Sequence, residues 1–130
     1  MQPRYKWSFA ELCDRLSIVL QKIVYAENEE MRLSFVGERE DLIHDLNLYL
    51  KEGVQVDGEM ISRICYLQLV NATIWANETA GRGEGSAANY QFTHGLNANR
   101  ATIKKSISQK ANGRIDHKLN YISGAWDLRL

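Results

Sequence analysis

The chain has no surplus of charge of either sign. Lys+Arg and Asp+Glu both number 16 among 130 residues, so the molecule as a whole has no net field to draw nucleic acid or a membrane surface. It has only two cysteines, Cys13 and Cys65. Both fall at apolar-patterned positions and are expected as reduced core residues, not as a disulfide. No segment approaches the ~20 consecutive apolar residues of a membrane span, and the opening MQPRYKWSF lacks the apolar run of a signal peptide. The expected location is therefore cytoplasmic. Internal repeats and low-complexity stretches are missing too.

What is there is the composition of an ordinary globular protein, 45% hydrophobic and 25% charged, in a chain long enough for one domain, 1–130, with a real core. Its charges are unevenly spread. Ten acids face three bases between Glu27 and Glu59, and six bases face Asp116 alone between Arg100 and Lys118. Such polarity suits antiparallel packing or self-association as well as a solvated surface.

The hydrophobic period is helical throughout. Ser8 followed by Glu11 is a capping-box pattern, and Phe9, Leu12, Cys13, Leu16, Val19, Leu20, Ile23 and Val24 then form a broad apolar face, which predicts a helix over about 9–28. The ENEEM segment is either a turn or a run-in to the next helix. With Gly37 weakening the middle, the firm part of a second helix is expected over 38–51, with Leu42, Ile43, Leu46, Tyr49 and Leu50 facing the core and Gly53 ending it. Asp57 is a plausible N-cap for a third helix over 58–79. A fourth is expected over 88–111, with Phe92, Leu96, Ile103 and Ile107 as its stripe, and an extended C-terminal arm over 112–130. Four amphipathic helices joined by short links predict an all-α fold, an antiparallel four-helix bundle carrying that arm.

The third helix carries polar residues on its apolar face. Asn71 and Glu78 fall among Met60, Ile64, Leu67, Ile74 and Trp75, with Arg82 one turn on. A buried amide or carboxylate needs partners, since an unpaired polar group costs ~1–3 kcal/mol and a charge more. Asn97, Arg100 and Lys104 on the fourth helix and Asp14 and Gln21 on the first could supply them. The cluster Asp14, Asn71, Glu78, Arg82, Asn97, Arg100 and Lys104 is thus either a pocket for a small anion, such as a sugar phosphate or nucleotide sugar, or a network that fixes helix register.

Three pieces of sequence carry a resemblance. Glu11-Leu12-x-Asp14-Arg15-Leu16-Ser17-Ile18, Asn71-x-x-Ile74-Trp75-x-x-Glu78-x-x-x-Arg82 and Leu96-Asn97-x-x-Arg100-x-x-Ile103-Lys104 occur in that order. In this the chain resembles a group of small uncharacterised bacterial helical proteins, often encoded beside glycosyltransferases of surface-polysaccharide synthesis. The resemblance implies the bundle and the same polar residues, and it implies no activity.

A second chemistry is suggested by carboxylate spacing. Glu11-x-x-Asp14 and Glu38-x-x-Asp41 are similar to the paired acids with which all-α nucleoside triphosphate pyrophosphohydrolases hold Mg²⁺, although Glu38 and Asp41 lie off the apolar face of their helix. Other signals are weaker. The Gly81-x-Gly83-x-Gly85 loop has neither a preceding strand nor a Gly-Lys-Ser/Thr sequence. His44, His94 and His117 lack metal-type spacing, His44 being expected on the solvent side of the second helix. No nucleophile–histidine arrangement can be traced. The leading expectation is a non-enzymatic binding or assembly protein with no catalytic residues and no cofactor, forming a homodimer through Ile18, Tyr25, Ile61, Cys65 and Leu69. A Mg²⁺-dependent pyrophosphohydrolase is the alternative, and neither nucleic acid nor membrane is expected as a partner.

Overall fold

The computed structural model describes residues 2–80, 87–112 and 128–130, including all their side chains except those of 79, 80 and 87–91. Four helices run in order: α1 (Phe9–Val24), α2 (Glu29–Lys51), α3 (Gly58–Ala80) and α4 (Ala87–Asn112). The chain is an all-α four-helix bundle. Arg82, the Gly81–Gly85 loop and the arm over 113–127 fall outside the described residues.

Local chemistry sets the ends of the helices. Ser8 Oγ accepts the Glu11 N–H at 3.2 Å, Asn28 Oδ1 accepts that of Met31 at 2.8 Å, and Asp57 Oδ1 accepts that of Met60 at 2.9 Å. Each side chain satisfies one orphan donor of a first turn. Asn28 accounts for two departures from expectation. As the N-cap of α2 it adopts extended backbone, so α1 stops at Val24 instead of running on to about 28. The acids Glu29 and Glu30 then fill the first turn of α2, where the helix dipole favours them, and α2 begins nine residues before 38. Gly37 lies inside this helix. Its cost of about 1 kcal/mol against alanine does not break an element anchored further along by Leu42, which is fully buried.

Gly53 closes α2 in a Schellman arrangement. At φ +110°, it lets Val54 N–H reach Tyr49 O at 3.1 Å and its own N–H reach Leu50 O at 3.2 Å.

The helices alternate in direction, and α1 is the hub. It packs on α2, α3 and α4, and α3 packs on α4, while among the described residues α2 approaches the backbone of α1 alone. The core follows this division. Phe9, Ala10 and Cys13 of α1 join Met60, Leu67 and Val70 of α3 and Leu96, Ile103 and Ile107 of α4. A second nucleus of Leu12, Val19 and Leu42 seals α1 to α2, and Leu46 and Tyr49 touch both. Leu128, near the end of the chain, packs on the first nucleus.

Several positions differ from the periodic reading. Cys13 is buried but Cys65 is exposed, because α3 turns it away from both α1 and α4. Leu50, Phe92 and Val24, expected on apolar faces, are exposed. His44 is partly buried and lies against Asp45, not out in solvent. No helix among the described residues is long and apolar enough to cross a membrane.

Candidate functional site

Asp14 sits at the centre of the polar cluster. Its carboxylate is 4% exposed and faces both α3 and α4. Arg100 donates to it through two nitrogens, Nε to Oδ1 at 3.0 Å and Nη2 to Oδ2 at 2.5 Å. This is the forked geometry in which a guanidinium binds a carboxylate best. Asn71 Nδ2 donates to Oδ1 at 2.9 Å and to Ser17 Oγ at 2.5 Å, while that hydroxyl donates to Asp14 O at 2.9 Å. Lys104 Nζ lies 2.7 Å from Glu11 Oε1 and 3.5 Å from Asp14 Oδ2. Three helices thus meet at one buried acid.

Burial alone would push the Asp14 carboxyl up. The hydrogen bonds from Arg100 and Asn71, with the charges of Arg100 and Lys104, more than reverse this and hold it below the usual carboxylate range. The Asp14 hydrogen bond in turn raises Arg100.

The expected residues separate into groups. Asp14, Asn71, Arg100 and Lys104 converge. Asn97 is exposed and donates to Thr93 O of its own helix at 3.1 Å. Gln21 is buried and points back to Ser17 O at 3.5 Å. Glu78 is exposed and reaches Arg100 through its field, as the last of several influences. The cause is where α1 stops. Tyr25, just past its end, stacks on Trp75 with ring centroids 5.8 Å apart, and one turn further α3 has no α1 to face. Arg82 is not among the described residues.

Each acid of the alternative magnesium set has a cationic partner. Glu11 pairs with Lys104, Asp14 with Arg100, Glu38 with Arg15 at 2.7 Å, and Asp41 with Arg4. The two pairs are also at different interfaces, the first toward α4 and the second on the α2 side. Among the described residues no three His, Cys, Asp or Glu side chains are grouped to hold a metal ion.

One buried carboxylate was not anticipated. Asp45 is 1% exposed and accepts the backbone N–H of Arg4 at 2.7 Å and of Tyr5 at 2.6 Å, with His44 Nδ1 at 3.0 Å. Burial raises its pKa, and these partners bring it below the normal value. The signal was present in the spacing, since Asp45 falls between Leu42 and the pair Leu46 and Tyr49 on one face. Ser17 carried a similar signal, three residues after Asp14 on the same face. Compared with protein-family models, curated proteins and solved structures, the chain matches none of them, so the reading of its sites rests on their own geometry.

Proposed function

We propose that this is a non-enzymatic helical assembly protein that self-associates through the outer face of α3, with the Asp14 cluster holding its helices in register. The observation that carries this reading is the surface α3 turns away from the bundle. At 100° per residue, Ile61, Cys65, Leu69, Ala72 and Ala76 fall within about 80° of one another, and all five are exposed. No charged residue interrupts them, in a chain that is 25% charged. An uncharged apolar strip of this length is uncommon on a solitary surface.

The strip is complementary to itself. In an antiparallel pair turned about a twofold axis beside Leu69, Ile61 meets Ala76 of the second copy and Cys65 meets Ala72. Large residues are then set against small ones on either side of the axis, and each contact occurs twice, as in any isologous pair. A strip of about four turns is small beside the ~1,200 Å² of a stable interface, so association should be weak and depend on concentration. Sedimentation over a concentration series should move from one chain of 14.9 kDa toward twice that mass. Leu69→Glu, at a position 64% exposed, should keep the chain folded and monomeric. A wild-type chain that stays monomeric throughout the series would overturn the proposal.

Anion capture at the Asp14 cluster has less support. Glu11, Asp14 and Glu78 stand against Arg100 and Lys104, so an incoming anion meets no surplus of positive charge among the described residues. The pairing of all four candidate magnesium acids with cations likewise favours the assembly reading over the pyrophosphohydrolase.

A further inference from the structure

The segment before α1 is tied to α2 at several points. Arg4 and Tyr5 give their N–H groups to Asp45, Arg4 pairs with Asp41, and Tyr49 Oη donates to Trp7 O at 2.8 Å. These tethers lay residues 3–8 along the C-terminal half of α2 without closing the space between them. A cleft of about 430 Å³ remains, within the range of small-molecule sites.

Its walls are chemically specific. Tyr5 and Trp7 stack in parallel, with centroids 4.5 Å apart and planes 7° apart, and Trp7 leaves 39% of its surface open. Leu48 and Tyr49 line the α2 side. Besides the buried Asp45, the lining carries one exposed cation and one exposed anion, Lys6 on the segment and Glu52 just past the end of α2. Among the described residues neither is matched to an opposite charge. Asp45, deeper in, is occupied by its own hydrogen bonds.

From this arrangement we infer that the cleft binds a small zwitterion with an apolar body, of the class of a free apolar or aromatic α-amino acid. The carboxylate lies toward Lys6, the ammonium toward Glu52, and the side chain against the Tyr5–Trp7 stack. An aromatic face also attracts an ammonium group, which adds to the pull of Glu52. A purely anionic or purely cationic ligand would leave one rim charge unanswered. This site is separate from the α3 strip and from the Asp14 cluster, and it does not depend on self-association.

The test is a titration of the full chain, followed through backbone amide shifts in NMR, with L-phenylalanine and L-leucine. Phenethylamine, 3-phenylpropanoate and glucose serve as comparison ligands. Saturable shifts confined to residues 5–8 and 48–52 are expected for the amino acids. Binding by the amine or the acid alone should be about tenfold weaker, near 1.4 kcal/mol. Lys6→Gln and Glu52→Gln, both at exposed positions, should each weaken the amino acids by a similar factor while melting unchanged. The inference is overturned by no saturable shift up to about 10 mM, where even a site of ~3 kcal/mol registers. It is also overturned if glucose or a single-charge analogue binds as well as the amino acids, or if neither charge variant weakens binding.

Discussion

Asp14 and Arg100, 86 residues apart in sequence, form a two-point ion pair that ties the first helix to the last. The next residue, Arg15, turns the other way and pairs with Glu38 of α2. One dipeptide thus addresses three of the bundle's interfaces, since Asp14 also receives Asn71 of α3. Its chemistry sets the first prediction.

Asp14→Ala leaves the Arg100 guanidinium and the Asn71 amide without their shared acceptor. Breaking a buried pair on one side costs ~3–5 kcal/mol, but Arg100 is 31% exposed and can regain water, so a loss of about 3 kcal/mol is expected. The double variant Asp14→Leu with Arg100→Met should come within about 1 kcal/mol of wild type, since a well-packed apolar pair replaces a buried ion pair at little cost. Urea denaturation of Asp14→Leu, Arg100→Met and the double variant gives the coupling directly.

Acid should unfold the chain through two buried aspartates. Asp14 and Asp45 are both held below the ordinary carboxylate range in the folded state, against about 3.9 when unfolded. Just below that value the unfolded chain binds more protons than the folded one, so stability rises with pH there. The contribution is complete above about pH 5 and is lost as pH falls through the folded-state values. Urea midpoints measured from about pH 2.5 to 6 should show this slope, and Asp45→Asn should flatten it.

The N-terminal tethers should be separable from the bundle. Asp45→Ala removes the acceptor for Arg4 and Tyr5, and bonds to a charged group are worth ~1.5–3 kcal/mol each. Hydrogen exchange should then show both amides losing protection while those of α3 and α4 keep theirs. Trypsin should cut after Arg4 and Lys6 sooner than in wild type. Equal loss of protection across all four helices would mean that Asp45 holds the whole fold and not only this segment.

The glycine inside α2 and the glycine just past its end should respond with opposite signs. Gly37 is within the helix with nothing within 4 Å of an added Cβ, so Gly37→Ala should stabilise by about 0.5–1 kcal/mol. Gly53 adopts φ +110°, where an L side chain is strained, so Gly53→Ala should destabilise by about 1–2 kcal/mol. Thermal unfolding of the two variants decides both.

Much of this was legible where one residue's chemistry acts alone. Ser8 and Asp57 cap as their types and positions imply, Leu96, Ile103 and Ile107 are buried as their spacing requires, and Asp14, Asn71 and Arg100 meet. Helical period tells which way a side chain points but not whether another helix is there to meet it. Glu78 shares its face with Met60 and Leu67, and is exposed because α1 has already ended. Cys65 has apolar neighbours in sequence, yet the face it shares with Ile61 and Leu69 turns outward. Asn97 found a nearer acceptor in its own helix. Asp45 shows the opposite case, since a carboxylate in an acidic stretch looks solvated until the N–H groups it receives, some 40 residues earlier, are located.

Among the described residues α2 rests its backbone on α1 alone, so its place in the bundle depends on that one interface. The buried side chains of the first nucleus all come from the three other helices, and α2 adds Leu46 and Tyr49 at its margin. A substitution that loosened that interface would therefore uncover Leu12 and Val19 before it touched the contacts between α3 and α4.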